Sequence, residues 1–292
     1  MEQITLQAYA KVNLTLDIQG RRKDGYHLLR SVMQSISLAD TITLQKKGRG
    51  QGISLHSDHP SVPDDEHNIC WRAAQAFEQH TQLSGGVAVS ISLAKKIPVA
   101  AGLGGGSADA AAVLYGLNKL YGTGLELAKL QQIGLTIGAD VPFCLQGGTC
   151  LVEGIGEAIR PVGPFPSVTM VLVKPKAGVS TAQIYRGLDP ATYGGDSTDR
   201  LLEFMTNRTD TPLASILENA LESVTSVLVP EVGIWKGRLL EHGALVSLMS
   251  GSGPTVFGLF SEELPAQRFL ERFQHEVQVF GVTLMDRGVC SR

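Results

Sequence analysis

Four glycines fall within five positions, Gly102, Gly104, Gly105 and Gly106, in the stretch Pro98-Val99-Ala100-Ala101-Gly102-Leu103-Gly104-Gly105-Gly106-Ser107-Ala108. With almost no side chains in the way, such a backbone bends sharply and brings its N–H groups close to a ligand. The alanine-rich run that follows, Ala110 to Tyr121, is a strong helix former. A glycine loop feeding a helix N-terminus offers unpaired N–H donors and the positive end of a dipole, which suits a phosphate. A flexible turn ahead of a packing helix is the plainer alternative. The glycine density directly before a helix start favours the phosphate.

Three familiar phosphate loops do not fit. No lysine follows the last glycine in the Gly-Lys-Ser/Thr order of a Walker loop. A dinucleotide fingerprint would need a third glycine where Ser107 stands, and Pro98 interrupts the strand that should lead in. No His-Arg-Asp or Asp-Phe-Gly context of a protein kinase is present.

Other polar residues stand out by position. Lys11 and Asn13 lie two apart on one side of an alternating strand, so their side chains project the same way about 6–7 Å apart. A solvated strand face would look the same. Asp140, in Gly138-Ala139-Asp140-Val141-Pro142-Phe143, is expected in a turn, with Val141 held extended by Pro142. Its carboxylate could simply stabilise that turn. Cys70, Cys144, Cys150 and Cys290 show no metal-ligand spacing, and the seven histidines form no paired cluster. No metal site is expected, and scattered thiols suit a reducing cytosol.

The elements that would position these residues can be read from periodicity. From Ile4 to Ile18 apolar and polar residues alternate without a break, as in a long half-buried strand bent midway. Asp24-Gly25 marks a turn, Leu28 to Leu44 continues as strand, and a short strand covers 52–56. Residues 68–78 read as a helix and 87–93 as the strand leading to the glycine loop. In the loop helix Ser107 is the expected N-cap and Gly122 the C-terminal glycine. Val113, Leu117, Leu120 and Tyr121 form its expected buried stripe. A second helix is expected over 125–137.

Prolines crowd 161–166, and a domain boundary is placed there, giving units of 1–163 and 164–292. Beyond it the pattern predicts a buried strand over 168–173 and a short helix carrying Tyr185. Helices follow over 200–207, 213–228, 231–241 and 264–273. Strands are expected at 244–249, 255–260 and 277–285, the first two joined by the Ser250-Gly251-Ser252-Gly253-Pro254 turn. Mixed strands and helices in this order give an α+β class with two domains.

With 292 residues, 43% hydrophobic and 18% charged, the chain can bury a sizeable core. A net charge of −3 leaves no basic footprint for nucleic acid or an anionic membrane. No uncharged run reaches the roughly 18 apolar residues of a membrane span, and the N-terminus lacks a signal-like core. A cytoplasmic protein with small-molecule ligands is expected.

Four segments now converge: Ala8-Tyr9-Ala10-Lys11-Val12-Asn13-Leu14 with Gly25-Tyr26-His27, the glycine loop, Gly138 to Phe143, and Met249 to Gly258. In order and content they resemble the GHMP kinases, the relatives of galactokinase, homoserine kinase, mevalonate kinase and phosphomevalonate kinase. The Lys-Val-Asn and Asp-Gly-Tyr-His pairing resembles the members acting on a cytidyl diphosphate sugar alcohol more than those acting on mevalonate or homoserine. A catalytically dead relative that binds nucleotide as a sensor would not be expected to keep both Lys11 and Asp140.

The resemblance implies a fold: an N-terminal domain like the second domain of ribosomal protein S5 and a ferredoxin-like C-terminal domain, with the active site in the cleft between them. It implies ATP as phosphoryl donor and the 2-hydroxyl of the sugar alcohol as acceptor. Magnesium would be carried mainly by the nucleotide phosphates. By the same resemblance Asp140 is the general base and Lys11 orients it. Pro98, Val99, Ala100, Ala101, Gly102, Leu103, Gly104, Gly105, Gly106, Ser107 and Ala108 would wrap the triphosphate. Tyr26 and Tyr185 would stack on cytosine, His27 would bond its edge, Asn13 would touch substrate and Asn68 would lie near adenine. The working state implied is a monomer or homodimer.

Overall fold

A computed structural model describes residues 2–291. The chain opens on the alternating segment, as β1 (Gln3–Asn13) and β2 (Asp17–Arg21), followed by the long β3 (His27–Lys46) and β4 (Ile53–Ser57). Then come α1 (Ile69–Thr81), β5 (Val89–Ala94), α2 (Gly105–Tyr121), α3 (Leu127–Leu135), α4 (Val141–Gln146), β6 (Thr149–Gly154) and β7 (Ala158–Pro161). The second half carries β8 (Thr169–Lys174), α5 (Thr181–Arg186), α6 (Ser197–Asn207), α7 (Glu222–Leu228), α8 (Glu231–Glu241), β9 (Val246–Met249) and β10 (Val256–Phe260). It closes with α9 (Glu263–Phe273), β11 (Gln278–Val282), β12 (Leu284–Met285) and β13 (Val289–Ser291).

Two sheets result. The first has nine strands organised around β3, with β13, β1, β3, β5 and β4 in that order and β2, β6 and β12 also pairing β3. The second runs β11-β8-β10-β9, all antiparallel. With α8 between β8 and β9 and α9 between β10 and β11, this is the split βαβ order of a ferredoxin-like domain. The segment 284–291, beyond the second sheet in sequence, crosses back: β12 pairs with β3 and β13 with β1.

The bend expected in the first strand is a break in pairing with β3 between Tyr9 and Lys11. Before it, Ile4, Leu6 and Ala8 pack under α1 and α2; after it, Ala10, Val12 and Leu14 pack against Met170, Leu172 and Phe257 of the second sheet. One apolar row thus serves two cores, as a β-bulge permits by re-aiming the strand. The polar row turns with it, so Lys11 and Asn13 are buried rather than solvated, at 5% and 0% exposure.

Several local expectations differ from the outcome. The loop helix begins at Gly105 with left-handed Gly104 (φ 69°) at its cap and no side-chain cap bond, so Ser107 lies inside the first turn. Gly122, also left-handed, does close it. Burial of α2 is not one stripe: Ala108, Ala110, Ala111, Ala112, Leu114 and Gly116 are buried too, because the helix is enclosed by the sheet and α1, α3 and α4. Val141 is helical, not extended, since Pro142 falls in the first turn of α4, where a missing N–H costs nothing. The helix expected over 213–228 is broken: Asn219 donates to the Met249 and Gly251 carbonyls (2.8 Å each) and Leu16 donates to the Glu218 carbonyl (2.8 Å). Those tertiary bonds outweigh helix propensity over 216–221.

Candidate active site

A cavity of about 1030 Å³ is lined from both halves of the chain. One wall is the glycine loop. The Lys11 amide donates to the Leu103 carbonyl at 3.0 Å, the Ser250 hydroxyl to the Gly102 carbonyl at 3.0 Å, and the Thr255 amide to the Ala101 carbonyl at 3.3 Å. Gly102 (φ 76°) is required on two counts, since a Cβ there would collide with the Ser250 carbonyl oxygen. Gly104 lets the loop cross the Lys11 side chain, whose Cγ would sit 3.0 Å from an added Cβ. Residues 98 to 107 all line the cavity. Ala108 does not: it is fully buried, with its amide bonded to the Gly104 carbonyl at 2.9 Å. The Ser107 hydroxyl, freed from capping, makes no hydrogen bond among the described residues.

At the floor, Lys11 Nζ stands 3.4 Å from an Asp140 carboxylate oxygen and donates to Asn13 Oδ1 at 2.8 Å. Asn13 Nδ2 donates in turn to the Ser31 hydroxyl at 2.8 Å, and Ser31 donates to the Thr15 carbonyl. This chain fixes the ammonium on a buried strand. Asp140, at the start of α4, keeps about a third of its side chain exposed to the cavity. A buried cation beside an accessible carboxylate and a glycine loop can hold an anionic group against an acceptor whose proton the carboxylate takes.

At the mouth Tyr26 is 62% exposed, while Tyr185 on α5 is half-buried. Burial, with the Asp140 charge adding to it, raises the Tyr185 phenol well above the ordinary tyrosine value. The His27 ring packs on Tyr185 with centroids 5.2 Å apart. Burial and then the Arg21 charge lower its pKa, favouring neutral imidazole. Tyr26, His27, Tyr185, Asn13, Lys11 and Asp140 therefore face one cavity together with the loop. Asn68 reaches it too, but its side chain is engaged as the cap of α1, accepting from the Cys70 amide and donating to the Pro63 carbonyl.

The two halves match the models for the GHMP kinases N terminal domain, over residues 68–148, and the GHMP kinases C terminal domain, over residues 200–278. A 4-diphosphocytidyl-2-C-methyl-D-erythritol kinase from Acetivibrio thermocellus is 46% identical over 91% of this chain and 93% of its own. The chain belongs to the 4-diphosphocytidyl-2-C-methyl-D-erythritol kinase family, within the GHMP kinases. A crystal structure of a 4-(cytidine 5'-diphospho)-2C-methyl-D-erythritol kinase superposes with a TM-score of 0.80 at 35% identity, covering 96% of this chain and 99% of that one. Homoserine kinase from Cytophaga hutchinsonii, at 22% identity and a TM-score of 0.78 over 100% and 98% of the two chains, shares the fold.

As a GHMP kinase the chain is a small-molecule kinase, and no helix among the described residues is long and apolar enough to cross a membrane. Two features in and beside this cavity have no spacing signal in the sequence. One is a buried triad: Lys95, just after β5, donates to Asp40 of β3 and Asp109 of α2 at 2.5 Å each. Asp40 also accepts from the Lys96 and Ile97 amides, so the entry to the glycine loop is tied to the sheet and to the loop helix at once. Burial opposes the Lys95 charge, yet the Asp109 and Asp40 carboxylates outweigh it and raise its pKa; burial raises Asp109 well above the carboxylate range. The other is Tyr193, whose hydroxyl lies 2.9 Å from His27 Nε2. Lys95 adjoins the loop in sequence, which is the one hint the sequence offered.

Proposed function

We propose that this chain transfers the γ-phosphoryl group of ATP to the 2-hydroxyl of 4-diphosphocytidyl-2-C-methyl-D-erythritol. The observation that carries this is the Lys11–Asp140 pair, 3.4 Å apart, at the floor of a cavity walled by the glycine loop. The triphosphate lies along residues 98–107, with the amides at the start of α2 and the Ser107 hydroxyl toward its terminal phosphates. Asp140 accepts the proton of the 2-hydroxyl as its oxygen bonds to the γ-phosphorus. The bond from that phosphorus to the β,γ-bridging oxygen breaks, and ADP departs. Lys11, held by Asn13, orients Asp140 and offsets charge on the moving phosphoryl group. Positioning and charge stabilisation dominate such a transfer, and a base adds on the order of 10²–10⁴-fold.

Among the described residues no three His, Cys, Asp or Glu side chains gather to hold a metal. A magnesium ion would ride on the ATP phosphates, with the Ser107 hydroxyl of the glycine loop facing the same cavity, and would supply charge neutralisation there. Cytosine sits at the mouth, between the exposed Tyr26 and the half-buried Tyr185, with His27 at its edge. The family relationship and the convergence of these side chains on one cavity support this placement.

Incubation with ATP, magnesium and the cytidyl substrate, followed by phosphorus NMR, tests the reading. A new phosphomonoester signal is expected with matched ADP, and without the three-bond proton coupling of a primary or secondary phosphate, because the methyl-bearing carbon 2 carries no hydrogen. Phosphorylation of mevalonate or homoserine in its place would overturn the assignment.

A further inference from the structure

We infer that Asn219, outside the cavity lining, is a positioning residue for the nucleotide: its amide holds the 249–255 turn in place as the backing of the glycine loop. The inference rests on the reading that this loop carries the triphosphate. Asn219 lies on the irregular stretch before α7 and is 8% exposed. A primary amide offers two N–H donors and one carbonyl acceptor. Here all three are spent on backbone. Nδ2 donates to the Met249 and Gly251 carbonyls at 2.8 Å each, and Oδ1 accepts from the Leu221 amide at 2.9 Å.

The backbone on either side of Asn219 is anchored to the segment that follows β1. The Leu16 amide donates to the Glu218 carbonyl at 2.8 Å, and the Ala220 amide to the Leu16 carbonyl at 2.9 Å. At the other end, Ser250 stands between the two carbonyls that Asn219 holds, and its hydroxyl donates to the Gly102 carbonyl at 3.0 Å. The Thr255 amide donates to the Ala101 carbonyl at 3.3 Å, and the Leu103 carbonyl accepts from the Lys11 amide at 3.0 Å. Hydrogen bonds therefore run in a closed circuit: from the first strand through Asn219 to the turn, from the turn to the glycine loop, and from the loop back to the strand at Lys11. Three consecutive loop carbonyls, 101 to 103, are engaged in it, so the curvature of the loop is set before a ligand arrives. Without the two amide donors the turn is released, and the triphosphate must order the loop as it binds.

The test is Asn219→Asp, which keeps the shape of the side chain and turns both donors into acceptors, together with Ser250→Ala, which removes only the hydroxyl on Gly102. Kinetics with both substrates are measured at pH 8 and pH 6, and ATP binding is followed by calorimetry. At pH 8 Asn219→Asp should raise the KM for ATP on the order of tenfold. The KM for the cytidyl substrate and kcat at saturating ATP should stay within about threefold. A buried carboxyl keeps its proton to higher pH than an exposed one, and its O–H restores one donor. The ATP penalty relative to wild type should therefore shrink by at least about twofold at pH 6. Ser250→Ala should share the ATP defect, and the double variant should cost less than the product of the two single effects. If the aspartate variant does not fold, Asn219→Ala takes its place in that cycle. A KM for ATP within about twofold of wild type, a penalty equal at both pH values, or a double effect equal to the product would overturn the role of Asn219 while leaving the proposed reaction standing. A rise in both KM values with a lower kcat would mark a general loss of structure and would count against positioning as well. A wild-type protein that does not phosphorylate the cytidyl substrate would instead remove the proposed reaction.

Discussion

Replacing Lys95 with methionine isolates the electrostatics that hold the glycine loop to its helix. The variant keeps a long unbranched stem and loses the ammonium. It leaves the Asp40 and Asp109 side chains, 0% and 3% exposed, without their shared cation. Each had an oxygen 2.5 Å from Nζ, so the two carboxylate oxygens lie no more than about 5 Å apart. Two like charges at ~5 Å repel by about 3 kcal/mol at an effective dielectric constant near 20. Removing one partner of a buried ion pair costs about 3–5 kcal/mol by itself. The folded protein can limit the penalty only by binding a proton, and Asp109, already raised by burial, is the group to take it.

The pH dependence follows from the sign of that shift. A carboxyl whose folded pKa exceeds its unfolded value contributes full stability below the unfolded value and loses it as pH rises through the folded one. The deficit of Lys95→Met relative to wild type should therefore be about 3–5 kcal/mol near pH 8 and smaller by at least about 1 kcal/mol near pH 5. Near pH 8 the melting midpoint should fall by roughly 5–8 °C. Urea and thermal melts followed by the fluorescence of Trp71 and Trp235, one in each half of the chain, measure both quantities. A deficit under about 1 kcal/mol, or one of equal size at both pH values, would refute the account.

Asp140→Asn should lower kcat at least about a hundredfold while leaving ATP binding nearly intact by calorimetry, and an unaltered kcat would remove Asp140 from the mechanism. Gly102→Ala meets both a collision with the Ser250 carbonyl oxygen and a φ of 76°, so KM for ATP should rise and the melting midpoint fall by several degrees. A variant indistinguishable from wild type in a melt and an ATP titration would show that the loop and the Ser250 turn move apart freely. Since burial and Arg21 lower the His27 pKa, its ring stays neutral through neutral pH and charges only as pH falls below the ordinary histidine value. The KM for the cytidyl substrate should accordingly be flat above about pH 7 and climb in acid, and a climb beginning above that point would contradict a neutral reader.

Where a short local pattern decides the structure, the sequence was readable. The alternating, half-buried strand over Ile4 to Tyr9, the strand before the loop and the left-handed Gly122 appear as expected, whereas from Ala10 to Ile18 both faces are buried and the strand is interrupted at 14–16. The helix over 231–241 matches to the residue. Expectations failed where distant residues decide. Asn219 spends its amide on two carbonyls some thirty residues away, so a stretch with helical composition does not coil. Ser107 loses the cap to Gly104 because the loop must turn left-handed to pass over Lys11. In the site, residues within short motifs were legible. The Lys95 triad and Tyr193 were not, for they pair residues 55 and 166 positions apart with no periodic signal between them. The buried state of Lys11 depends on the strand break at Tyr9, which alternation alone does not disclose.

The returning tail has a consequence for how the molecule comes into being. Its turn at 286–288 lies so close against Gly147 and the Cys144 carbonyl that side chains on either glycine, 147 or 288, would not fit. Those residues form the far end of the short helix that begins just after Asp140. On a ribosome, the helix behind Asp140 lacks this packing until residues 286–288 have been made. An N-terminal fragment made alone would bring Lys11 and the glycine loop but leave that helix unbraced.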